Sequence, residues 1–384
     1  MKQTPARLRG IPTKYVEGVA QVVAGLALAA FPAFFLAIYA RIAPIEDQGF
    51  LAVSLAVGSY VGVVLSAFIV ESRLATPGAQ HPVALPRWMA VVSAAGGGLL
   101  ILGPPVPPAP VLLIAVVGLT SGLLMARSIG VVSGRWKMEA AAAITLLVGC
   151  CLALLLATLH NPLGLRVLAG GAVITVAMRL WNAPHDGHSG IPPDLRRAAW
   201  VSGETAVVGI VQPALTTLIL VILGPAASVA FRVISTIAGA LEPILAYGRL
   251  RLLAYGHKGE IAVIAVAFGG GLAMIFCAEA LGVWRLIFGP AWAGVTVTGL
   301  LIACLWKGLI LGSTVPFAAV RRAGRTTLVF WARCACTAIY LILGVAFVMV
   351  FRTNTAAFAS FVVTEVLSIL IYYSVAKRTA WRKP

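Results

Sequence analysis

Several charged side chains fall inside apolar stretches long enough to cross a membrane, and five of them are candidates for function. An ionised side chain at the centre of a bilayer costs at least about 2.5 to 3.5 kcal/mol, so such a residue usually faces a cavity or a partner. We interpret the basic members as candidates for binding an anionic substrate and the acidic members as candidates for ion coupling. The alternative is a structural role, by snorkelling or by ion pairing, for example of Arg333 with Glu365. The five residues are Arg232, Glu242, Lys307, Arg333 and Glu365.

The sequence contains no motif that is typical of a catalytic site or of a metal site. His185, Asp186 and His188 come closest to a set of metal ligands, but they have no further Cys or His nearby to complete a coordination shell. The sequence has no nucleophile-elbow serine, no Gly-rich phosphate loop and no zincin helix. The six cysteines all fall in predicted spans, where small packing residues are common. We therefore expect no catalytic residue, no metal and no cofactor.

Composition predicts a membrane protein with many spans. Hydrophobic residues make up 60% of the chain and charged residues only 11%, whereas soluble domains carry about 25% charged residues. The mean hydropathy is +0.99. Stretches of about 20 apolar residues, enough to cross the hydrocarbon core, predict twelve spans. They lie near 16–40, 49–70, 87–103, 111–132, 139–159, 164–182, 200–223, 227–248, 261–284, 291–314, 327–350 and 356–376.

The distribution of basic residues predicts the orientation of these spans. When alternate loops are assigned to opposite sides, most of the 29 Lys and Arg residues fall on one side. The positive-inside rule makes that side cytoplasmic and places both termini there. This distribution explains the net charge of +17 without a nucleic acid partner. The other side keeps only Arg41, Arg166, Arg285 and Arg352.

An internal repeat becomes visible when the sequence is shifted by 181 positions. Without a gap, the shift aligns Pro32 with Pro213 and Pro44 with Pro225. A shared mid-span proline and a shared turn proline are not expected from apolar composition alone. The chain therefore looks like two copies of one membrane unit, as in many transporters. Further aligned pairs are Ala33 and Ala214, Ile38 and Ile219, Phe50 and Phe231, Ser54 and Ser235, and Gly58 and Gly239.

The repeat predicts the domain organisation and a point of bending. The longest polar stretch, 182–197, separates six spans from six, so we expect lobes at 1–182 and 200–384 joined by a cytoplasmic linker at 183–199. Because six is even, both lobes begin on the same side and form a parallel repeat about a pseudo-two-fold axis along the membrane normal. Pro32 and Pro213 would bend the first helix of each lobe and could act as hinges. The alternative is a static kink.

Arg232 departs from this symmetry. Its repeat counterpart is Leu51, so the frame that the two copies share does not require a basic residue there. An arginine added to one copy suggests a negatively charged ligand. Arg41, at the outer end of the first span, is a weaker candidate for the same role.

Several turns resemble those of polysaccharide flippases in the multidrug/oligosaccharidyl-lipid/polysaccharide (MOP) superfamily. The stretch APIEDQGFLAV carries Pro44, Glu46 and Gly49 at the places of the first-loop motif of that family. LVILGPAASVAFR is similar to the turn between spans seven and eight and places Arg232 on the arginine of span eight. LIFGPAWAG at 286–294 and AVRRAGRT at 319–326 are similar to two later turns. The resemblance covers nearly the whole chain.

The resemblance implies an all-α integral membrane protein with about twelve transmembrane helices in two six-helix lobes, a MATE/MOP-like fold. It implies a flippase of the bacterial cytoplasmic (inner) membrane that moves undecaprenyl-diphosphate-linked oligosaccharide for surface polysaccharide biosynthesis. The expected partners are the lipid-linked glycan, membrane lipids, and a polysaccharide polymerase and glycosyltransferases. In that setting Arg232 would contact the diphosphate.

Two other functions stay open at this point. A cation-coupled exporter of small molecules could use the same fold, because fold does not fix substrate. That branch often carries a buried acid in its first helix, whereas Glu17 lies at the cytoplasmic entrance. A membrane glycan polymerase or ligase would need a sizeable outer loop with catalytic residues, and the predicted outer loops are short.

Overall fold

The computed structural model describes residues 13–71, 84–132, 135–181, 195–245, 258–322 and 326–379. These parts of the chain are helical apart from short turns. Numbered by span, the helices are α1 (Thr13–Tyr39), α2 (Ile45–Ser66, extended by a π-helical turn at Ala67–Glu71), α3 (Ala84–Leu102), α4 (Ala109–Val132), α5 (Trp136–Thr158), α6 (Leu163–Trp181), α7a (Leu195–Gly209), α7b (Val211–Leu223), α8 (Pro225–Gly239), α9a (Lys258–Ala280), α9b (Val283–Phe288), α10 (Val297–Arg322), α11 (Thr326–Phe351) and α12 (Asn354–Thr379).

These helices confirm the predicted membrane architecture. Among the described residues, nine helices are long and apolar enough to cross a membrane, with α7a and α7b together as one of them. A tenth candidate is the pair α9a and α9b, bent by 69° at its break. Two shorter apolar helices, Trp88–Leu102 and Pro225–Gly239, occupy the places of predicted spans three and eight. The chain is therefore an all-helical, multi-pass membrane protein.

Three pairs of spans pack together in both halves of the chain. α1 packs on α5, α5 on α6 and α2 on α4 in the first half. The matching pairs in the second half are span seven with α11, α11 with α12, and α8 with α10. The boundaries at 1–182 and 200–384 stay predictions, because most of the linker at 183–199 lies outside the described residues.

The two halves meet through the first two spans of each. α2 packs against α7a, α7b and α8, while α1 packs against α8 and α9b. One buried apolar cluster crosses this interface and includes Phe31, Phe35, Phe231 and Phe358. The rings of Phe231 and Phe358 stack with their centroids 4.8 Å apart.

Pro44 and Pro225 begin equivalent helices, as the repeat predicts. Pro44 is the N-cap of α2, and Pro225 is the first residue of α8, where its missing amide proton costs no helical hydrogen bond.

We use the term proline-turn end for the end of the bundle that holds these two turns. All six connections at this end are described, and they are short: 40–44, 103–108, 159–162, 224, 281–296 and 352–353.

Pro32 and Pro213 have different effects on their helices. Pro32 lies within the continuous helix α1, whereas span seven breaks at Ile210, three residues before Pro213. The residue four before Pro213 is Gly209, and the residue four before Pro32 is Leu28. A glycine tolerates the change of direction that a proline imposes on the preceding turn, and leucine favours a continuous helix. The helix is therefore interrupted only in the second half, and the hinge role of the two prolines stays a prediction.

Several predictions concern residues outside the described ranges. These are both chain termini, the cluster of His185, Asp186 and His188, and part of the basic turn at 319–326. The side chain of Glu17 also lies outside the description.

Candidate functional site

A cavity of about 370 Å³ lies within the second half of the chain. Its walls come from both parts of span seven, from the residues after α8, and from α10, α11 and α12. Four of the charged residues predicted from sequence line it together: Glu242, Lys307, Arg333 and Glu365. The fifth, Arg232, lies elsewhere.

Lys307 and Glu242 form an ion pair on the cavity wall. The Lys307 ammonium donates a hydrogen bond to Oε1 of Glu242 and lies 4.2 Å from the centroid of the Trp306 ring. The two side chains differ in exposure: Lys307 is 6% exposed and Glu242 is 61% exposed. Glu242 therefore reaches the open side of the cavity, while the aliphatic part of Lys307 is enclosed.

Arg333 pairs with Glu204 and not with Glu365, so the pairing given above as an example is wrong. Its Nη1 lies 3.1 Å from Oε1 of Glu204, and its guanidinium lies 4.6 Å from the centroid of the Phe317 ring. α7a packs against α11, which brings Glu204 to the arginine. Glu204 was missed, although an acid nine residues before Pro213 in a predicted span is itself a signal.

Glu365 is held by hydroxyl groups. Ser313 Oγ donates to Oε1 at 2.6 Å, and the Tyr340 hydroxyl donates to Oε2 at 2.5 Å. The indole Nε1 of Trp306 in turn donates to the Tyr340 oxygen at 3.1 Å. This chain of donors fixes the carboxylate against the cavity wall.

Arg232 lies at the interface between the two halves. Its Nη2 donates to the Leu55 carbonyl at 3.4 Å and to Ser59 Oγ at 3.3 Å, both on α2. The residue is 5% exposed. It does not line the 370 Å³ cavity. In this conformation α2 covers the guanidinium of Arg232, and its role in binding an anion stays a prediction.

Arg41 also joins the two halves, at the proline-turn end. It follows α1, and its guanidinium donates to the carbonyls of Leu286 at 2.8 Å and Ile287 at 2.9 Å. These carbonyls belong to the last turn of α9b, where a helix leaves acceptors unpaired and a positive charge is favourable. Burial lowers the pKa of the Arg41 guanidinium from its ordinary value. Gly289, with φ +55°, packs directly against this guanidinium.

Gly49 marks a second close approach at the same end. A Cβ atom at Gly49 would lie 2.8 Å from Leu220 Cδ1 and 2.9 Å from Pro225 Cβ. The start of α2 therefore packs directly on the turn between α7b and α8. Together with Arg41, this contact closes the proline-turn end of the interface.

The break in span seven opens onto the cavity. Pro213 cannot donate a hydrogen bond to the carbonyl of Gly209. Gly209, Val211 and Gln212 all line the cavity. The irregular backbone is therefore placed beside polar space, which is where membrane proteins tolerate it.

A second buried charged cluster, in the first half, was not foreseen. Arg179 Nη2 lies 3.0 Å from Oε2 of Glu139, and both side chains are almost fully buried. Arg127 lies nearby and donates to the Gln21 carbonyl at 3.4 Å. Glu139 could have been identified as an acid at the start of a predicted span.

In the described parts of the chain, no group of three His, Cys, Asp or Glu residues could hold a metal ion.

The fold is similar to that of solved membrane transporters. No protein-family model matches the sequence, and no curated protein matches it by sequence. A MATE structure in complex with MaL6 has a TM-score of 0.55 at 14% identity, with 96% of each chain covered. An inward-facing multidrug resistance MATE transporter of the MOP superfamily has a TM-score of 0.52 at 14% identity, covering 93% of this chain and 94% of that chain. An outward-facing one has 0.51 at 12% identity, with 98% of each covered. The chain therefore has the fold of MATE transporters of the MOP superfamily.

Proposed function

We propose that this protein is a transporter that works by alternating access of its two lobes, and that its cargo is an undecaprenyl-diphosphate-linked oligosaccharide. In this proposal the protein lies in the bacterial inner membrane with both termini in the cytoplasm. It moves the glycan headgroup from the cytoplasmic to the outer leaflet. A polysaccharide polymerase and glycosyltransferases would act on the same lipid-linked glycan.

The observation that carries the proposal is the placement of Arg232 between the lobes. Its acceptors in this conformation are a backbone carbonyl and a hydroxyl of α2, which are weak partners for a buried guanidinium. If the lobes separate, Leu55 and Ser59 move away and the guanidinium becomes free to bind an anion. A diphosphate offers several charged oxygens in the geometry that arginine binds best.

The residues that line the cavity favour a cargo with a polar headgroup. A diphosphate with attached sugars cannot cross hydrocarbon unaided, because the loss of hydration is far too costly. The cavity wall offers aromatic rings at Trp306, Tyr340 and Phe361, with hydrogen-bonding groups between them. Such a mixture of apolar surface and placed polar groups is typical of ligand sites.

Glu365 favours a second candidate function, a cation-coupled exporter of small molecules. A carboxylate fixed on a cavity wall by Ser313 and Tyr340 could exchange a proton or a cation during the cycle. Two of the solved structures with this fold are described as multidrug resistance transporters. The two candidates share the alternating-access mechanism and differ in cargo.

The short connections at the proline-turn end count against a glycan polymerase or ligase. The longest, 281–296, is folded into α9b and a 3-10 turn over Gly289–Trp292. That leaves little chain there for a catalytic loop. We therefore propose a transport protein and not an enzyme.

A deletion strain provides the test. We expect loss of the gene to trap lipid-linked glycan in the cytoplasmic leaflet, and the wild-type protein to restore export. Energised vesicles loaded with a cationic dye would test the second candidate in parallel. Dye export with no effect on the glycan would favour the exporter and reject the flippase.

A further inference from the structure

The third span of each half contains the same short glycine motif. Residues 94–99 of α3 read AAGGGL and residues 267–272 of α9a read AFGGGL. The motif places Gly96 opposite Gly269 in the alignment of the two copies, and Gly97 opposite Gly270. The shift between them is 173 positions, within the range that a changed loop length allows.

In the first half these glycines are packed against neighbouring helices. A Cβ atom at Gly96 would lie 2.8 Å from the Ala115 carbonyl oxygen on α4. A Cβ atom at Gly97 would lie 2.2 Å from Val173 Cγ2 on α6. Only glycine permits contacts this close. α3 accordingly packs along its length on α4 and α6.

In the second half the first two glycines of the motif are open, whereas the third, Gly271, packs against Leu241. A Cβ atom at Gly269 or Gly270 would meet nothing within 4 Å. Val266 and Met274, one turn to either side of Gly270, are 75% and 73% exposed. The described residues of α9a lack the close packing on α10 and α12 that α3 has on α4 and α6.

The face of α10 that lies toward α9a is apolar and partly exposed. Phe268 of α9a contacts Gly308, so this face of α10 points toward α9a. Leu301 and Leu305 precede Gly308 by seven and three residues, which places all three on one face of the helix. Leu301 is 52% exposed and Leu305 is 53% exposed. The adjoining residues Trp306 and Lys307 line the cavity.

We propose that α9a is a movable side wall of the second lobe. In another state of the transport cycle it turns about its axis and docks Gly269 on α10 and Gly270 on α12, as Gly96 and Gly97 dock in the first lobe. Docking covers Leu301 and Leu305 and closes the side of the cavity at Lys307 and Glu242. In the position described here, the described residues leave Glu242 on that side 61% exposed. The proposal concerns the motion of the helix and does not depend on the identity of the cargo.

Chemical cross-linking tests the docking directly. Cysteines replace Gly269 and Leu305 in a background without the native cysteines, and membranes are treated with an oxidant, so that a disulfide cross-link forms only where the two thiols meet. We expect an intramolecular cross-link that each single-cysteine variant lacks, because docking brings these two positions together. Absence of the cross-link would overturn the proposal. A cross-link between two copies of the single variant Gly269→Cys would also overturn it, because the glycine face would then be an interface between protomers.

Substitutions separate a docking role from a structural one. Gly270→Val should leave the melting temperature of the purified protein unchanged, since the position is open, but it should lower transport at least tenfold by blocking the docked state. Gly98→Val is the matched control, because Gly98 belongs to the same motif and meets nothing within 4 Å; it should be neutral in both measurements. Equal transport by Gly270→Val and Gly98→Val would contradict the proposal. Failure of glycan export with an intact cross-link would reject the proposed cargo and not the moving helix.

Discussion

Arg232 on α8 donates a hydrogen bond to the carbonyl of Leu55 on α2, across the interface between the two halves of the chain. Leu55 lies one turn after Leu51, which is the repeat counterpart of Arg232. The two copies thus meet at equivalent helices, and the copy that carries the arginine reaches into the copy that lacks it. This relationship gives Arg232 an acceptor in the interface described here, and our proposal is that separation of the lobes frees the guanidinium.

Replacement of Arg232 tests its role in binding cargo. A hydrogen bond to a charged group contributes about 1.5 to 3 kcal/mol, so Arg232→Ala should lower transport roughly tenfold or more. Arg232→Lys should restore part of the activity, because it keeps the charge and loses the bidentate geometry. Export of glycan by correctly inserted variants is the measurement.

Ser59→Ala tests whether Arg232 acts only by holding the two lobes together. It removes one acceptor of Arg232 and leaves the guanidinium in place. We expect export close to wild type. A loss as large as that of Arg232→Ala would show that the arginine acts by holding the lobes together.

Arg41→Ala should weaken the closure at the proline-turn end. The change leaves the last carbonyls of α9b without their charged donor, a loss of about 1 to 3 kcal/mol. We expect a lower melting temperature and faster labelling of cysteines placed in the 40–44 turn. Arg285→Ala removes an exposed arginine from α9b itself. It should change neither measurement, and an equal effect of both variants would refute the bridging role of Arg41.

Gly49→Leu should hold the same end open. The side chain cannot fit against Leu220 and Pro225, so the closed interface would be strained while the separated one is not. Accessibility of a cysteine at Ser54 to a small thiol reagent should rise. Gly203→Leu provides a control, because a Cβ there meets nothing within 4 Å. Unchanged accessibility in Gly49→Leu would mean that this contact does not limit opening.

Glu365→Gln distinguishes the two candidate cargos. The amide keeps the shape of the side chain and removes its charge, so a cation-coupled exporter should lose dye export that a proton or sodium gradient drives. A flippase that does not use Glu365 for coupling should keep glycan export. Loss of both activities would assign Glu365 a structural role through Tyr340 and Ser313.

The orientation stays a prediction that cysteine labelling can check. A cysteine at Ser189, in the predicted cytoplasmic linker, should resist an impermeant thiol reagent in intact cells. A cysteine at Pro105, which is exposed in the turn after α3, should react. Labelling of both positions from outside would contradict the positive-inside assignment.

The sequence was sufficient for most of the spans and for the turns that begin α2 and α8, but it did not predict the 69° bend between α9a and α9b. Apolar length and the position of a proline act locally, so both can be identified without knowing the neighbours. The partner of Arg333 could not be predicted, because it depends on α7a lying beside α11. The acceptors of Arg41 are backbone carbonyls, which have no signature in the sequence.

The two prolines of the repeat show a further limit. Pro32 and Pro213 are equivalent in sequence, yet only the second follows a break in its span. The residue one turn earlier also differs, leucine in one copy and glycine in the other, and glycine favours a continuous helix less than leucine does. Attention to that residue would have predicted the asymmetry.

The central claim is that the two lobes move a lipid-linked diphosphate glycan past Arg232. The most direct measurement follows such a glycan in proteoliposomes that contain the purified protein, by its accessibility to a membrane-impermeant glycosidase on one side. We predict that wild-type protein makes the inner-leaflet glycan accessible and that Arg232→Ala protein does not. Equal accessibility with the wild type, with Arg232→Ala and with empty liposomes would contradict the account.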